Sequence, residues 1–119
     1  MSRSSYTASR GNKYHAVKTT VDNLTFDSAK EARRYAELKL LYVTRRIEAL
    51  ELQPAFEMAV TNPAGKRIIV GLFHADFRYR EHGADVIEDV KSPATRANEA
   101  YRLRKRIVEA QYGVTIVEV

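Results

Sequence analysis

Three residues, Asp76, Asp89 and Lys91, have the types and the spacing to hold a divalent cation and to act on a water beside it. Asp76 lies in the stretch Gly71-Leu72-Phe73-His74-Ala75-Asp76-Phe77-Arg78-Tyr79, which alternates as a strand does. In a strand successive side chains point to opposite faces, so Gly71, Phe73, Ala75, Phe77 and Tyr79 are expected on one apolar face, and Leu72, His74, Asp76 and Arg78 on the other. The following stretch, Val86-Ile87-Glu88-Asp89-Val90-Lys91-Ser92, places Asp89 and Lys91 two apart and on one side, with Glu88 facing away. Its apolar residues imply a largely buried strand, where a carboxylate and an ammonium are costly unless paired or bound to metal. A short hairpin joins the two strands and brings the two carboxylates together. Neighbouring carboxylates repel unless one is protonated or a cation lies between them. Mg²⁺ or Mn²⁺, held by one or two carboxylates and keeping several waters, suits such a pair. That ion can activate a bound water and neutralise charge on a phosphodiester, while the lysine orients the water or meets the charge of the transition state. Two other readings compete. Asp89 and Lys91 can form a plain ion pair, and a bulge would exchange Glu88 for Asp89 as the inward acid.

The elements that must position these residues follow from pattern and turn chemistry. Residues 1–13 are rich in Ser, Arg and Thr without an acid and read as a flexible basic arm. Residues 14–119 read as a single domain. Val17–Val21 and Leu24–Phe26 flank Asp22-Asn23 as a hairpin would. Ser28-Ala29-Lys30-Glu31 matches a capping box, opening a helix to about Arg45 with Ala32, Tyr35, Leu38, Leu41 and Tyr42 as its apolar stripe. Strands are expected over Ile47–Gln53, Ala55–Thr61, Arg67–Arg80, Asp85–Ser92 and Val114–Val119, with Pro54 interrupting the first two and Asn62-Pro63-Ala64-Gly65 forming a turn. A second helix is expected over Thr95–Tyr112, ended by Gly113, with Ala100, Leu103, Ile107 and Ala110 buried. The order of elements predicts an α/β fold, a central mixed β-sheet flanked by helices.

Composition narrows the partners. The chain has 119 residues, a net charge of +5 and 45% hydrophobic residues, which allows a packed core and favours anionic partners. Cysteine is absent, which removes disulfides, thiolate zinc sites and a cysteine nucleophile. With only three histidines, a metal site must be mostly carboxylate, pointing to a hard ion. The lack of a long apolar run or signal peptide predicts a cytoplasmic protein with no membrane partner. No Gly-rich phosphate loop marks a nucleotide cofactor, and no zinc finger marks sequence-specific readout. The second helix carries Arg96, Arg102, Arg104, Lys105 and Arg106; Arg102, Lys105 and Arg106 are expected outside its buried stripe, on a face able to run along DNA phosphates. Lys30, Arg33 and Arg34 on the first helix add to the basic set, although a solvated helix face explains any one of them equally well.

Asp76 followed by Asp89-Val90-Lys91 resembles the signature of the PD-(D/E)XK nuclease superfamily, an acid on one strand and acid-x-Lys on the next. Ala75 stands where the signature proline would be, and Asp89 replaces the commoner Glu. Phe26-Asp27-Ser28-Ala29-Lys30-Glu31-Ala32, Leu52-Gln53-Pro54, Ala75-Asp76-Phe77, Glu88-Asp89-Val90-Lys91 and Glu109-Ala110-Gln111-Tyr112-Gly113 together resemble a family of small phage and prophage proteins placed in that superfamily. The resemblance implies a restriction-endonuclease-like core and a Mg²⁺-dependent DNA endonuclease in which Asp76 and Asp89 bind metal and Lys91 assists the attacking water. It also offers Glu31 as a further metal ligand, in competition with its capping role, and places Gln53 near the site. His74 is a candidate neighbour on the face expected for Asp76. The layout is similar to junction-resolving phage endonucleases, which act as homodimers on branched DNA such as a Holliday junction; branched DNA and a homodimer are therefore expected by analogy. The rival readings are a non-catalytic nucleic-acid-binding module that retains the fold, and a phage assembly or interaction protein.

Overall fold

The computed structural model describes residues 18–119. The basic arm expected over 1–13 lies outside them. The chain forms two compact units that divide after Arg46.

In the first unit, β1 (Thr19–Val21) and β2 (Leu24–Phe26) pair antiparallel, with Val21 opposite Leu24. Asp22 and Asn23 between them both adopt left-handed φ values, 53° and 62°. Two successive left-handed residues make the turn whose twist matches a two-residue hairpin, and Asp and Asn tolerate that conformation better than most residues. Helix α1 (Ala29–Val43) starts at Ser28, whose Oγ accepts the Glu31 N–H at 3.1 Å, as a cap should. Ala32, Tyr35 and Leu38 of the expected stripe are buried, and the Tyr35 ring lies 5.0 Å from that of Phe26. The Tyr35 hydroxyl donates to Asp22 Oδ2 at 3.0 Å and so ties the helix to the turn. At the other end the Leu40 carbonyl accepts both the Thr44 N–H at 3.1 Å and the Thr44 hydroxyl at 2.8 Å, closing the last turn.

The second unit is built on a four-stranded sheet ordered β3-β6-β7-β8, with β3 at Glu48–Leu52, β6 at Phe77–Glu81, β7 at Ala84–Asp89 and β8 at Ile116–Glu118. β3 with β6 and β6 with β7 run antiparallel, whereas β7 with β8 run parallel. The sheet is therefore mixed, as the sequence predicts. A parallel neighbour requires a crossover, supplied here by α2 (Pro93–Ala97) and α3 (Glu99–Tyr112). β4 (Ala55–Thr61) and β5 (Arg67–His74) form a separate antiparallel ribbon. Helix α3 holds this ribbon through side chains: Gln111 Oε1 accepts the Ala59 N–H at 3.1 Å, and the Tyr112 hydroxyl donates to the Glu57 carbonyl at 2.8 Å. Phe56, Met58, Phe73, Ala75, Ile87, Val108 and Ile116 form the core, with Tyr101, Ile107 and Val114 packed against it.

Three expectations are corrected. The long strand expected over Arg67–Arg80 is two strands, because the chain changes partners at Ala75-Asp76. The Ala75 N–H donates to the Pro54 carbonyl at 3.1 Å, whereas the Asp76 N–H donates to the Glu88 carbonyl at 3.0 Å and the Asp76 carbonyl accepts the Gln53 N–H at 2.9 Å. Pro54, which has no N–H to give, marks the matching break between β3 and β4. In consequence the apolar face expected for 71–79 is divided. Phe73 and Ala75 enter the core with Ile87, whereas Phe77 pairs directly with Glu88 and so lies on the opposite face of β7 from Ile87. The second helix is also two helices. Asn98 is extended, and its Oδ1 accepts the Tyr101 N–H at 2.9 Å, beginning α3 afresh. Finally, the packed stripe of α3 is rotated from the one expected. Leu103 is 56% exposed and Ala100 and Ala110 are not in the core, whereas Val108 is fully buried and Tyr101 and Lys105 are half-buried. Of the expected stripe only Ile107 packs against the core. The ring of Tyr101 packs against the core, and Lys105 is drawn toward acids beside it.

Candidate metal centre

Asp76 sits where the strand breaks, and the break sets its side chain. With its backbone bonded to Glu88 on one side and Gln53 on the other, its carboxylate turns toward the end of β7, where Oδ2 accepts the Val90 N–H at 2.6 Å. Asp89 is the last residue of β7 and is held between β7 and the C-terminal strand, its carbonyl accepting the Val119 N–H at 3.0 Å. Arg78 pairs with Ile87, so by alternation Asp76, Arg78, Ile87 and Asp89 share the face from which Ile87 enters the core. The expected meeting of Asp76 and Asp89 is thus built, and Lys91 joins them: its Nζ is 3.2 Å from Asp89 Oδ1 and 3.9 Å from Asp76 Oδ2.

Asp89 is the unusual member. Its side chain is 0% exposed, and among the described residues neither carboxylate oxygen has a hydrogen-bond partner. Lys91 stands at ion-pair distance. Burial pushes the Asp89 carboxyl up to about 7; the Lys91 ammonium opposes that rise and the neighbouring Asp76 carboxylate adds to it. A carboxylate buried without donors is a costly group, and a coordinated cation is one of the few partners that offsets that cost.

Two further residues border the pair. Glu118 of β8 pairs in register with Asp89, and it is engaged by Lys105 Nζ at 3.4 Å and Arg96 Nε at 3.9 Å. Tyr101, in the first turn of α3, stacks on Phe73 with ring centroids 6.3 Å apart and has the Lys91 Nζ 5.6 Å above its ring. Its hydroxyl is buried without a hydrogen-bond partner among the described residues. Burial, followed by the Asp89 and Glu118 carboxylates, raises the phenol above its ordinary value, so it remains a neutral donor.

The donor set suits a hard cation. Two carboxylates converge on Lys91, and one of them, Asp89, makes no hydrogen bond among the described residues. Among the described residues no cluster of three or more His, Cys, Asp or Glu side chains that could hold a metal ion is present, so a cation here would have Asp76 and Asp89 as its protein ligands.

The remaining sequence candidates fall as follows. Glu88 faces away from Asp89, buried and accepting a hydrogen bond from the Tyr79 hydroxyl. Gln53 is exposed and adopts a left-handed φ of 52°, its N–H fixing the Asp76 carbonyl. His74 ends the ribbon opposite Ala55 and is exposed; the change of partners after it removes the ground for placing it on the face of Asp76. Glu31 belongs to the first unit, where its N–H is capped by Ser28 and its side chain is buried. Arg102 and Arg106 are exposed on α3 as expected. Lys105 is corrected: it is drawn inward to Glu118, and to Glu109 at 4.0 Å, instead of facing phosphate. Arg96 is exposed but shares Glu118, Lys30 and Arg33 are exposed on α1, and Arg34 bonds Glu37 at 2.9 Å. Sequence reasoning gave Tyr101 no place at the site and passed over Glu118. The pairing of β7 with β8 is the signal that brings Glu118 beside Asp89.

The model of the family described as "protein of unknown function (DUF1064)" matches residues 11–117. The chain belongs to this family. The match spans both compact units and includes Asp76, Asp89 and Lys91. No curated protein and no solved structure matches the chain. Among the described residues no helix is long and apolar enough to cross a membrane.

Proposed function

We propose that this protein is a divalent-cation-dependent endonuclease that hydrolyses phosphodiester bonds in DNA. The observation that carries this reading is Asp89: a carboxylate with no exposure that makes no hydrogen bond among the described residues, set beside Asp76 with the Lys91 ammonium 3.2 Å away. In this reading Asp89 and the Oδ1 of Asp76, whose Oδ2 is held by Val90, bind Mg²⁺ or Mn²⁺. The cation supplies charge neutralisation at the phosphodiester and a more acidic water. Lys91, tethered by both carboxylates, orients that water and meets the negative charge that develops on phosphorus oxygens. Arg102 and Arg106 run along the phosphate backbone, giving affinity without sequence readout. The resemblance to junction-resolving phage endonucleases supports branched DNA as the substrate, a homodimer as the active form, and the cytoplasm of a bacterial host as the place of action.

Cleavage of labelled four-way junction, single-stranded and linear duplex DNA tests this. Cutting in Mg²⁺ or Mn²⁺, lost in EDTA and in Asp76→Ala, is expected, with the junction cut fastest. A second reading is favoured by the position of Lys91, within 4.0 Å of both acids, as a plain ion-pair partner would be. The chain would then be a non-catalytic DNA-binding module, and binding without cutting in every cation would establish it.

A further inference from the structure

Two buried polar groups at the candidate centre make no hydrogen bond among the described residues, although one of them, Asp89, has the Lys91 ammonium at 3.2 Å, and they are chemically complementary. The Asp89 carboxylate can only accept when ionised, and the Tyr101 phenol can both donate and accept. Each is without a hydrogen bond to any described protein group. Buried polar groups are rarely left unsatisfied, and where two such groups share a site a third species commonly joins them. The ring of Tyr101 does not wander: Asn98 caps its backbone N–H at 2.9 Å, Phe73 stacks on one part of it, and the Lys91 Nζ lies 5.6 Å from its centroid. The hydroxyl is therefore delivered to a fixed place by groups that have no need of the oxygen itself. A phenylalanine would make the same ring contacts without leaving a polar atom buried.

We propose that Tyr101 is a positioning residue of the metal centre, its hydroxyl holding a water that belongs to the shell of the cation bound by Asp89 and Asp76. This rests on the cation-binding reading above. A cation-bound water would donate to the Tyr101 oxygen, and the phenol's own proton would be left for a carboxylate, Asp89 and Glu118 being the two that act on it. Tyr101 thus acts through the water and touches neither cation nor phosphorus. The same placement explains why Lys91 lies over the ring: the phenol face keeps the ammonium beside the carboxylates while the phenol edge serves the water. Outer-shell partners of this kind typically contribute about 10–100-fold to metal affinity.

The test is Tyr101→Phe in the full chain, which removes one oxygen and keeps the ring. Mn²⁺ binding is followed by electron paramagnetic resonance, and the tyrosine absorption difference spectrum is recorded on adding Mn²⁺. The wild type is expected to bind Mn²⁺ with a perturbed tyrosine signal, and Asp89→Asn to bind none. Tyr101→Phe should bind about 10-fold or more weakly, lack the tyrosine perturbation, and unfold at the wild-type temperature or above it without metal. Equal Mn²⁺ affinity in wild type and Tyr101→Phe, with Asp89→Asn still inactive in binding, overturns the role of Tyr101 and leaves the metal centre standing. An unchanged difference spectrum in Tyr101→Phe overturns it as well. Failure of the wild type to bind Mn²⁺ overturns the metal centre and this inference together. Should Tyr101→Phe unfold at a lower temperature, the difference spectrum of the wild type, read against Tyr112→Phe as a tyrosine control, decides the matter by whether the signal follows Tyr101.

Discussion

Replacing Asp89 by Asn should make the metal-free protein more stable and the metal-binding protein useless. The carboxyl of Asp89 is raised from 3.8 to about 7, chiefly by burial. A tenfold change in proton affinity corresponds to about 1.4 kcal/mol, so ionised Asp89 costs the fold on the order of 4 kcal/mol, an upper bound in a site where Lys91 stands close. Proton binding sets the sign. Between about pH 4 and pH 7 the folded chain keeps a proton on Asp89 that the unfolded chain has released, so stability falls as pH rises through that window. Below it both states are protonated, above it both are ionised, and the loss is complete. Asn cannot ionise and removes this slope. Its amide must still find partners, which takes back about 1–3 kcal/mol and leaves a net gain of about 1–3 kcal/mol at pH 8. At roughly 4–8 °C per kcal/mol for a small domain, that is a rise of at least several degrees. Thermal unfolding in EDTA at pH 5 and pH 8 measures it. The gap between Asp89→Asn and wild type should open from pH 5 to pH 8, and saturating Mn²⁺ should reverse the order, since a ligand at about 1,000 times its Kd adds about 4.1 kcal/mol to the wild type alone. A variant less stable than wild type at pH 8, or an unchanged pH slope, would refute the reasoning that Asp89 is kept at a cost to the fold.

Other expectations follow from the same geometry. Lys91→Met removes an ammonium 3.2 Å from Asp89, so Mn²⁺ affinity measured by calorimetry should hold or rise while DNA cleavage falls by at least about 100-fold, the usual scale for a group acting on the attacking water. The double substitution Arg102→Ala/Arg106→Ala should weaken binding to all DNA sequences alike and reduce the slope of log affinity against log salt by about one per residue, with cleavage at saturating DNA little changed; filter binding across a salt series reads this. Gln53→Gly relieves a left-handed φ of 52° and should stabilise the protein by about 1 kcal/mol in urea denaturation, since glycine adopts that conformation freely.

How much the sequence told depends on what each signal measures. The hairpin was legible, and it brings Asp76 and Asp89 together: Asp89 ends β7, Asp76 immediately precedes β6, and Arg78 pairs with Ile87 between them. Alternation misplaced Phe77 and Tyr79 relative to Phe73, because periodicity is blind to a change of partner, and the change at Ala75-Asp76 is recorded only in backbone hydrogen bonds to Pro54 and Glu88. Caps were legible where a side chain of the right type stood at the right distance, as with Ser28. Asn98 has the same chemistry, but the apolar stripe proposed through Ala100 and Leu103 concealed it. The α3 residues that pack on the core are Tyr101, Ile107 and Val108, a set displaced from the expected one. Glu118 was out of reach for a different reason: its place beside Asp89 depends on a parallel pairing across the α2–α3 crossover, which no local pattern announces.

Everything proposed for the site depends on Asp76 and Asp89 together holding a divalent cation. Anomalous diffraction from crystals grown with Mn²⁺ tests it most directly. A peak is expected within about 2.2 Å of an Asp89 oxygen and of Asp76 Oδ1, the distance hard-cation coordination requires, and no such peak in Asp89→Asn. A Mn²⁺ concentration that supports cleavage but leaves no peak at this pair, or places it at other residues, would contradict the metal centre.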